Sequence, residues 1–272
     1  MHGIGNDYIY FDCFENTIEN PEQAAIKLSD RHFSVGGDGV VLILPSEVAD
    51  AKMRMFNADG SEGKMCGNAI RCVGKFLYEV RGMKKSVLKV ETLSGIKALT
   101  MHEVNGRIEA VTADMGAPNL IPDEIPALFE GDTVIDQKLL LGETVYRVTC
   151  VSMGNPHCVV FGGDPYKIEL EKIGPQFENH PAFPARVNTE FVQVVGKNEL
   201  KMRVWERGSG ETWACGTGAC AVAVAAVLNG YADKNADITV HLRGGDLVIN
   251  YTDERVLMTG PAEIAFKGEV EI

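Results

Sequence analysis

Hydrophobic residues along the chain follow two periods. At Ile70, Val73, Phe76, Leu77 and Val80 they recur at spacings of three and four, which predicts a helix with one buried face ending near Arg81-Gly82. From Ala219 to Leu228 the chain is small and apolar throughout, until Asn229-Gly230 stops it. A helix with no polar face should be buried on all sides. Asn20-Pro21 predicts a third helix, with Asn as N-cap and Pro at the first helical position, running to about His32. Residues 165–179 hold one or two short helices. The remainder reads as strands at 4–13, 40–44, 51–56, 86–92, 96–104, 107–115, 132–141, 144–153, up to Phe161, 192–195, 201–206, 237–242, 246–251 and 255–260, with a short last strand at 262–270. Asn105-Gly106 marks a hairpin turn. The fold class expected from this pattern is α+β.

The two best helices share a beginning. Cys66-Gly67-Asn68-Ala69 precedes one and Cys215-Gly216-Thr217-Gly218 the other, at an offset of 215 − 66 = 149 residues. The same offset carries Gly5-Asn6 to Gly154-Asn155, Gly39 to Asn188 and Asn57 to Glu206. The helix near 21–32 has a rough counterpart at 166–179. This period is far too long for a solenoid. It indicates duplication: two pseudo-symmetric domains, each a curved sheet around one buried helix. The boundaries expected are 1–116 with Cys66 and 117–261 with Cys215. The crossover lies in the Pro-rich stretch 118–126, and a final strand at 262–272 returns to the first domain.

Charge narrows the partners. The 272 residues carry 26 Lys and Arg against 38 Asp and Glu, a net charge of −12, which argues against nucleic acid or an anionic membrane. No stretch is long and apolar enough to span a bilayer. The N-terminus has no basic and apolar signal regions. Seven cysteines without CxxC or Cys/His zinc spacing fit a reducing cytoplasm and no metal. Cys13, Cys150, Cys158 and Cys220 sit among apolar neighbours and read as core residues.

Cys66 and Cys215 are different. A thiol at a helix N-terminus feels the helix dipole and first-turn N–H groups, which lower its pKa from ~8.5. Two such helix ends, offering the N–H groups of Gly67, Asn68, Gly216 and Thr217, suit a carboxylate. Removing a proton from the carbon beside that carboxylate builds charge that the helix ends stabilise. A thiolate on one face can take the proton while a thiol on the other returns one. That apparatus fits a racemase or epimerase. The two thiols should titrate as a coupled pair, and oxidation to a disulfide is a hazard.

Seven stretches in order carry a resemblance: His2-Gly-Ile-Gly-Asn-Asp-Tyr8, Asn57-Ala-Asp-Gly-Ser61, Cys66-Gly-Asn-Ala69, Met153-Gly-Asn-Pro-His157, Arg186-Val-Asn-Thr-Glu190, Trp205-Glu-Arg-Gly208 and Ala214-Cys-Gly-Thr-Gly-Ala219. Together they resemble the diaminopimelate epimerase family over nearly the whole chain. The resemblance implies interconversion of LL- and meso-2,6-diaminopimelate, in lysine and peptidoglycan-precursor synthesis, with no cofactor, pyridoxal phosphate or metal. It implies barrel-like mixed sheets around central helices, a cytoplasmic protein and a homodimer as the partner state. By motif, Cys66 and Cys215 are the acid/base pair, and Gly67, Asn68, Gly216 and Thr217 hold the reacting carboxylate. Asn6, Asn57, Asn155, Asn188, Glu206 and Arg207 line the substrate, with Arg207 suited to the distal carboxylate and Glu206 to an ammonium. His157 is a candidate wall residue near one thiol. Asp59 and Glu211 read as loop and capping residues. The alternatives are another cofactor-independent isomerase of this fold, with a cyclic or phenazine-type substrate, and a dithiol redox sensor.

Overall fold

A computed structural model describes residues 1–272. The chain forms two compact units, Met1–Asp114 with Thr259–Ile272, and Met115–Met258.

The first unit is built from β1 (His2–Gly3), β2 (Asn6–Asp12), α1 (Pro21–Ser29), β3 (Gly39–Leu44), β4 (Ala51–Asn57), β5 (Glu62–Gly63), α2 (Gly67–Glu79), β6 (Val87–Thr92), β7 (Gly95–Val104) and β8 (Arg107–Gly116). β2 and β3 are parallel; β3–β4, β6–β7 and β7–β8 are antiparallel. The β7–β8 turn has left-handed Asn105 and Gly106, φ 52° and 83°, as the Asn-Gly pair predicts. Helix α2 buries eleven of its thirteen residues, including Arg71 and Lys75, so its amphipathic pattern understates how deeply it sits. Lys75 reaches the Ile108 carbonyl at 2.9 Å, which lets a buried ammonium keep an acceptor.

The second unit contains β9 (Gln137–Leu141), β10 (Thr144–Ser152), β11 (Pro156–Phe161), α3 (Leu170–Glu178), β12 (Asn188–Gly196), β13 (Glu199–Glu206), β14 (Gly210–Glu211), α4 (Gly216–Leu228), β15 (Asp237–Leu242), β16 (Gly245–Tyr251) and β17 (Val256–Gly260). Here β11 and β12 are parallel, while β12–β13 and β15–β16 are antiparallel. Helix α4 is buried almost throughout, with strands β10, β11, β12, β15 and β16 packed around it.

Strand register carries the duplication further than sequence landmarks do. Tyr8 pairs with Gly39 across the parallel β2–β3 ladder. Adding 149 to both gives His157 and Asn188, which pair across the parallel β11–β12 ladder. The small strands repeat as well: Phe56 opposes Glu62, and Trp205 opposes Glu211.

Gly39 shows why one position in the first copy tolerates no side chain. A Cβ there would lie 2.0 Å from the Phe56 carbonyl oxygen and 2.7 Å from Tyr8 Cε1, with φ at +156°. Both obstacles sit on neighbouring strands, so relief requires the ladders to separate. Gly39→Ala should destabilise the protein by about 3 kcal/mol, read as a lowered urea midpoint at unchanged m-value.

Several expectations are corrected. Helix α1 ends at Ser29 rather than near His32, because the Asp30 carboxylate accepts the N–H groups of His32 and Phe33 and turns the chain. Asn20 makes no side-chain cap bond. Residues 262–270 are not a strand. Only Glu263 bridges to His2, and Phe266 and Ile272 project into solvent, so the apolar positions there lack a partner strand. The strand expected at 132–141 is confined to Gln137–Leu141, and β12 and β13 are longer than their apolar centres.

Candidate active site

Both cysteines are helix N-caps. Cys66 is extended (φ −130°, ψ 124°) and its sulfur accepts the Ala69 N–H at 3.5 Å. Cys215 is likewise extended (φ −109°, ψ 104°) and its sulfur accepts the Gly218 N–H at 3.3 Å. In each case sulfur takes the place of the side-chain oxygen that ordinarily caps the third helical N–H. The thiols therefore belong to the helix ends, and α4 begins directly after Cys215 rather than at Ala219. Gly67, Asn68, Gly216 and Thr217 supply the first-turn amides, for which the helix itself provides no acceptor.

In the first unit, the Cys66 S–H donates to Asn6 Oδ1 at 3.3 Å. Asn6 Nδ2 donates to Asp38 Oδ2 at 2.7 Å, and the Asp7 N–H donates to the same oxygen at 3.1 Å. Arg31 grips Asp7 through two bonds of 3.0 and 2.7 Å and Asp38 through one of 2.9 Å. Burial and the neighbouring Asp7 push the Asp38 carboxyl above its ordinary pKa, with Arg31 and the N–H donors opposing. Asn68 is buried, and its Oδ1 accepts from Arg71 Nη2 at 3.0 Å. The fully buried Arg71 also bonds the Gly67 carbonyl at 3.1 Å and the Pro261 carbonyl at 3.3 Å. Asn57 ends β4 with its side chain tied to Ser61 Oγ at 3.0 Å.

In the second unit, Asn155 and His157 meet the cysteine through a chain of polar groups. His157 is fully buried, with Nδ1 2.7 Å from Glu190 Oε1 and Nε2 3.0 Å from Asn155 Oδ1. Asn155 Nδ2 donates to Thr217 Oγ1 at 3.3 Å, and that hydroxyl lies 3.6 Å from Cys215 Sγ. Asn188 has both amide ends committed, donating to the Pro156 carbonyl at 2.8 Å and accepting the Arg207 N–H at 2.9 Å. The Arg207 guanidinium bonds the Ala185 carbonyl at 2.8 Å. Glu206 accepts from the Thr212 hydroxyl, and burial raises its carboxyl pKa.

The expectation of a lowered thiol pKa fails at Cys215. Burial pushes this thiol well above its ordinary value, and the carboxylates of Glu206 and Glu190 push the same way. The Thr217 hydroxyl and Gly218 N–H oppose them but do not prevail. The field of a helix end is smaller than the desolvation of a sulfur anion enclosed by protein. Burial thus favours the protonated form of Cys215.

Three groups not named as site residues from the sequence support this chemistry. Asp38 and Arg31 fix Asn6, yet Arg31 fell inside the helix expected to reach about His32 and Asp38 in the Gly-containing stretch just beyond it. Glu190 holds His157 inside an apolar strand, where the one charged residue of Phe191-Val192 and its neighbours was the available signal. Asp59 accepts the Ser61 N–H at 2.9 Å, as a loop residue. Glu211 pairs with Arg203 at 2.8 and 2.9 Å and with Arg243 at 3.3 Å. No group of three His, Cys, Asp or Glu side chains is placed to hold a metal ion. No helix is long and apolar enough to cross a membrane.

Comparison with known proteins gives a consistent result. The family model for diaminopimelate epimerase matches residues 1–121 and 149–265. A diaminopimelate epimerase of Methanococcus maripaludis (strain S2) is 55% identical over 274 residues, covering 100% of this chain and 98% of its own. One from Acetivibrio thermocellus is 56% identical, covering 100% of this chain and 97% of its own. Among solved structures, a hydroxyproline epimerase from Agrobacterium vitis shares the fold with a TM-score of 0.67 at 15% identity, over 96% of this chain and 87% of its own. A phenazine biosynthesis protein of the PhzF family from Bacillus anthracis does so with a TM-score of 0.65 at 19% identity, over 96% and 92%.

Proposed function

The chain belongs to the diaminopimelate epimerase family, and from that premise we propose that it interconverts LL- and meso-2,6-diaminopimelate by two-base proton transfer between Cys66 and Cys215. The observation that carries this reading is the repeated N-cap: two cysteines at equivalent positions, each with its sulfur on the third N–H of a buried helix. A hydrolase needs one nucleophile. Inversion at carbon needs two groups that exchange roles, one taking the proton as thiolate and one giving a proton as thiol.

The substrate carboxylate takes the first-turn amides of Gly67, Asn68, Gly216 and Thr217. As the α-proton leaves, negative charge moves onto the carboxylate oxygens, where the fixed N–H dipoles stabilise it without reorganising. The α-ammonium brings a positive charge to the neighbourhood of Glu206 and Glu190. That charge offsets the two carboxylates that add to burial in keeping Cys215 protonated, so Cys215 gives its proton to solvent as substrate binds and becomes the thiolate. Cys66 and Cys215 act on opposite faces of the same α-carbon. Each turnover interchanges which sulfur carries the proton.

The distal carboxylate is held by an opposite charge. Arg207 exchanges its Ala185 carbonyl for the distal carboxylate, for which its planar fork is better matched. Glu206 receives an ammonium. Asn6, Asn57, Asn155 and Asn188 complete the lining, Asn188 by holding the Arg207 backbone rather than through a spare amide. His157 acts from behind Asn155 as a wall residue. The reaction belongs to lysine and peptidoglycan-precursor synthesis in the cytoplasm, with the chain as a homodimer. Exchange of the substrate α-hydrogen with deuterated solvent is the test. A reduced, folded sample that leaves diaminopimelate unchanged but exchanges a different amino acid contradicts the substrate assignment.

A further inference from the structure

The internal duplication exposes a difference between the two cysteines. Asn6 and Asn155 are equivalent under the offset of 149. Asn6 touches its sulfur, accepting the Cys66 S–H on Oδ1 at 3.3 Å. Asn155 is turned elsewhere, with Oδ1 on His157 and Nδ2 on Thr217. The residue that makes Asn6 different is Asp38. Its counterpart, 149 residues on, is Val187, a buried apolar residue that can make no such bond.

The chemistry of Asp38 determines which end of Asn6 faces the thiol. Its carboxylate receives the Asn6 Nδ2 hydrogens, the Asp7 N–H and the Arg31 guanidinium, all donors. A carboxylate so placed accepts only. Asn6 must therefore turn its NH₂ to Asp38 and its carbonyl oxygen to Cys66. A carbonyl oxygen stabilises an S–H and repels a sulfur anion. Cys215 differs in its side-chain neighbour: the Thr217 hydroxyl at 3.6 Å can donate to sulfur, while each sulfur also accepts one backbone N–H, from Ala69 at Cys66 and from Gly218 at Cys215.

We propose that Asp38 is a positioning residue for the reaction: by fixing Asn6 with its carbonyl oxygen toward Cys66, it holds that cysteine as a proton-bearing thiol in the substrate-free protein. Arg31 anchors the arrangement by bridging Asp38 to Asp7. The inference deepens the proposed function, since it rests on Cys66 being one of the two proton-transfer groups. The charged and titratable groups around Cys66 are Asp7, Asp38 and Arg31 of the loop network, Arg71 on its own helix, and Tyr10, which faces it from β2.

A double-mutant cycle on the substrate-free chain tests the idea. The rate of iodoacetamide alkylation at Cys66 is followed against pH by peptide mass mapping, and its midpoint gives the thiol pKa irrespective of accessibility. Asp38→Asn frees Asn6 to rotate its NH₂ toward sulfur, and Asn6→Ala removes the carbonyl oxygen. Each should lower the midpoint by about half to one pH unit, the size of one net hydrogen bond. In the Asn6→Ala background, Asp38→Asn should shift it far less, because no amide remains to turn. An unchanged or raised midpoint in Asp38→Asn overturns the proposal. So does an equal shift in both backgrounds, which would mean that Asp38 acts through charge alone. Should Asp38→Asn not fold, Asn6→Ala decides: no fall in its midpoint overturns the proposal. Turnover of diaminopimelate by the unaltered chain is measured separately, so failure of the functional reading and failure of this one are distinguishable.

Discussion

Cys66→Ala and Cys215→Ala should each lower the rate of diaminopimelate inversion by about 10³- to 10⁴-fold, the range of a positioned acid or base, while leaving the chain folded. The small effect on folding follows from what the sulfurs do locally. Each caps one N–H at a long sulfur distance, 3.5 Å at Cys66 and 3.3 Å at Cys215, and a neighbouring turn or water can take over that contact. The large effect on activity follows from inversion needing both groups. With one thiol missing, a proton can leave or return only on the remaining face, and inversion stops. Initial rates of circular-dichroism change with LL-diaminopimelate measure the loss, and urea denaturation of the same samples checks stability. A double variant should be little worse than either single one, because the two residues act as a unit.

Glu190→Ala should destabilise the protein by about 3–5 kcal/mol, the cost of breaking a buried pair from one side. Glu190 and His157 are both fully buried and lie 2.7 Å apart on adjacent parallel strands. Removal of the carboxylate leaves the imidazole Nδ1 without its partner and opens a cavity among apolar strands. Glu190→Gln should cost far less, because an amide can still bond Nδ1 in one of its two orientations. Replacing both residues by apolar side chains of similar volume should recover much of the loss. Denaturant midpoints of these variants check the ordering. Gly218 has a related constraint: a Cβ there would lie 2.7 Å from Glu190 Oε1 and 3.1 Å from Cys215 Sγ. The acid, the sulfur and the start of α4 are packed as one piece.

How much of this was legible beforehand divides along physical lines. Local signals gave α2, α4, the Asn-Gly hairpin and most strands, since period and turn chemistry act over a few residues. The duplication was legible because an offset of 149 survives in Gly5-Asn6, the cysteines and Glu206, and the strand register then repeats it. The partners of the site residues were not legible. Asp38 meets Asn6 across 32 positions, and Glu190 meets His157 across 33. Both pairings depend on the register of parallel strands, which no local pattern specifies. The bonds of Asn188 to the Pro156 carbonyl and the Arg207 N–H were equally out of reach of a local pattern. The thiol pKa at Cys215 was misjudged for a similar reason. The helix end is visible in sequence, but the enclosure of the sulfur and the approach of two carboxylates come from distant strands. The C-terminal segment misled in the opposite way, having apolar residues but no strand beside it beyond the single bridge at Glu263.

The central claim is that two cysteines exchange a proton with one α-carbon from opposite faces. It is tested most directly by running the reduced enzyme on LL-diaminopimelate in D₂O and following deuterium in product and remaining substrate at low conversion. The account predicts one solvent deuterium at the inverted carbon of each meso product molecule, because the proton delivered comes from a solvent-exchanged thiol and not from the substrate. Inverted product that retains the original hydrogen would show a single group carrying the proton from one face to the other, and would contradict it.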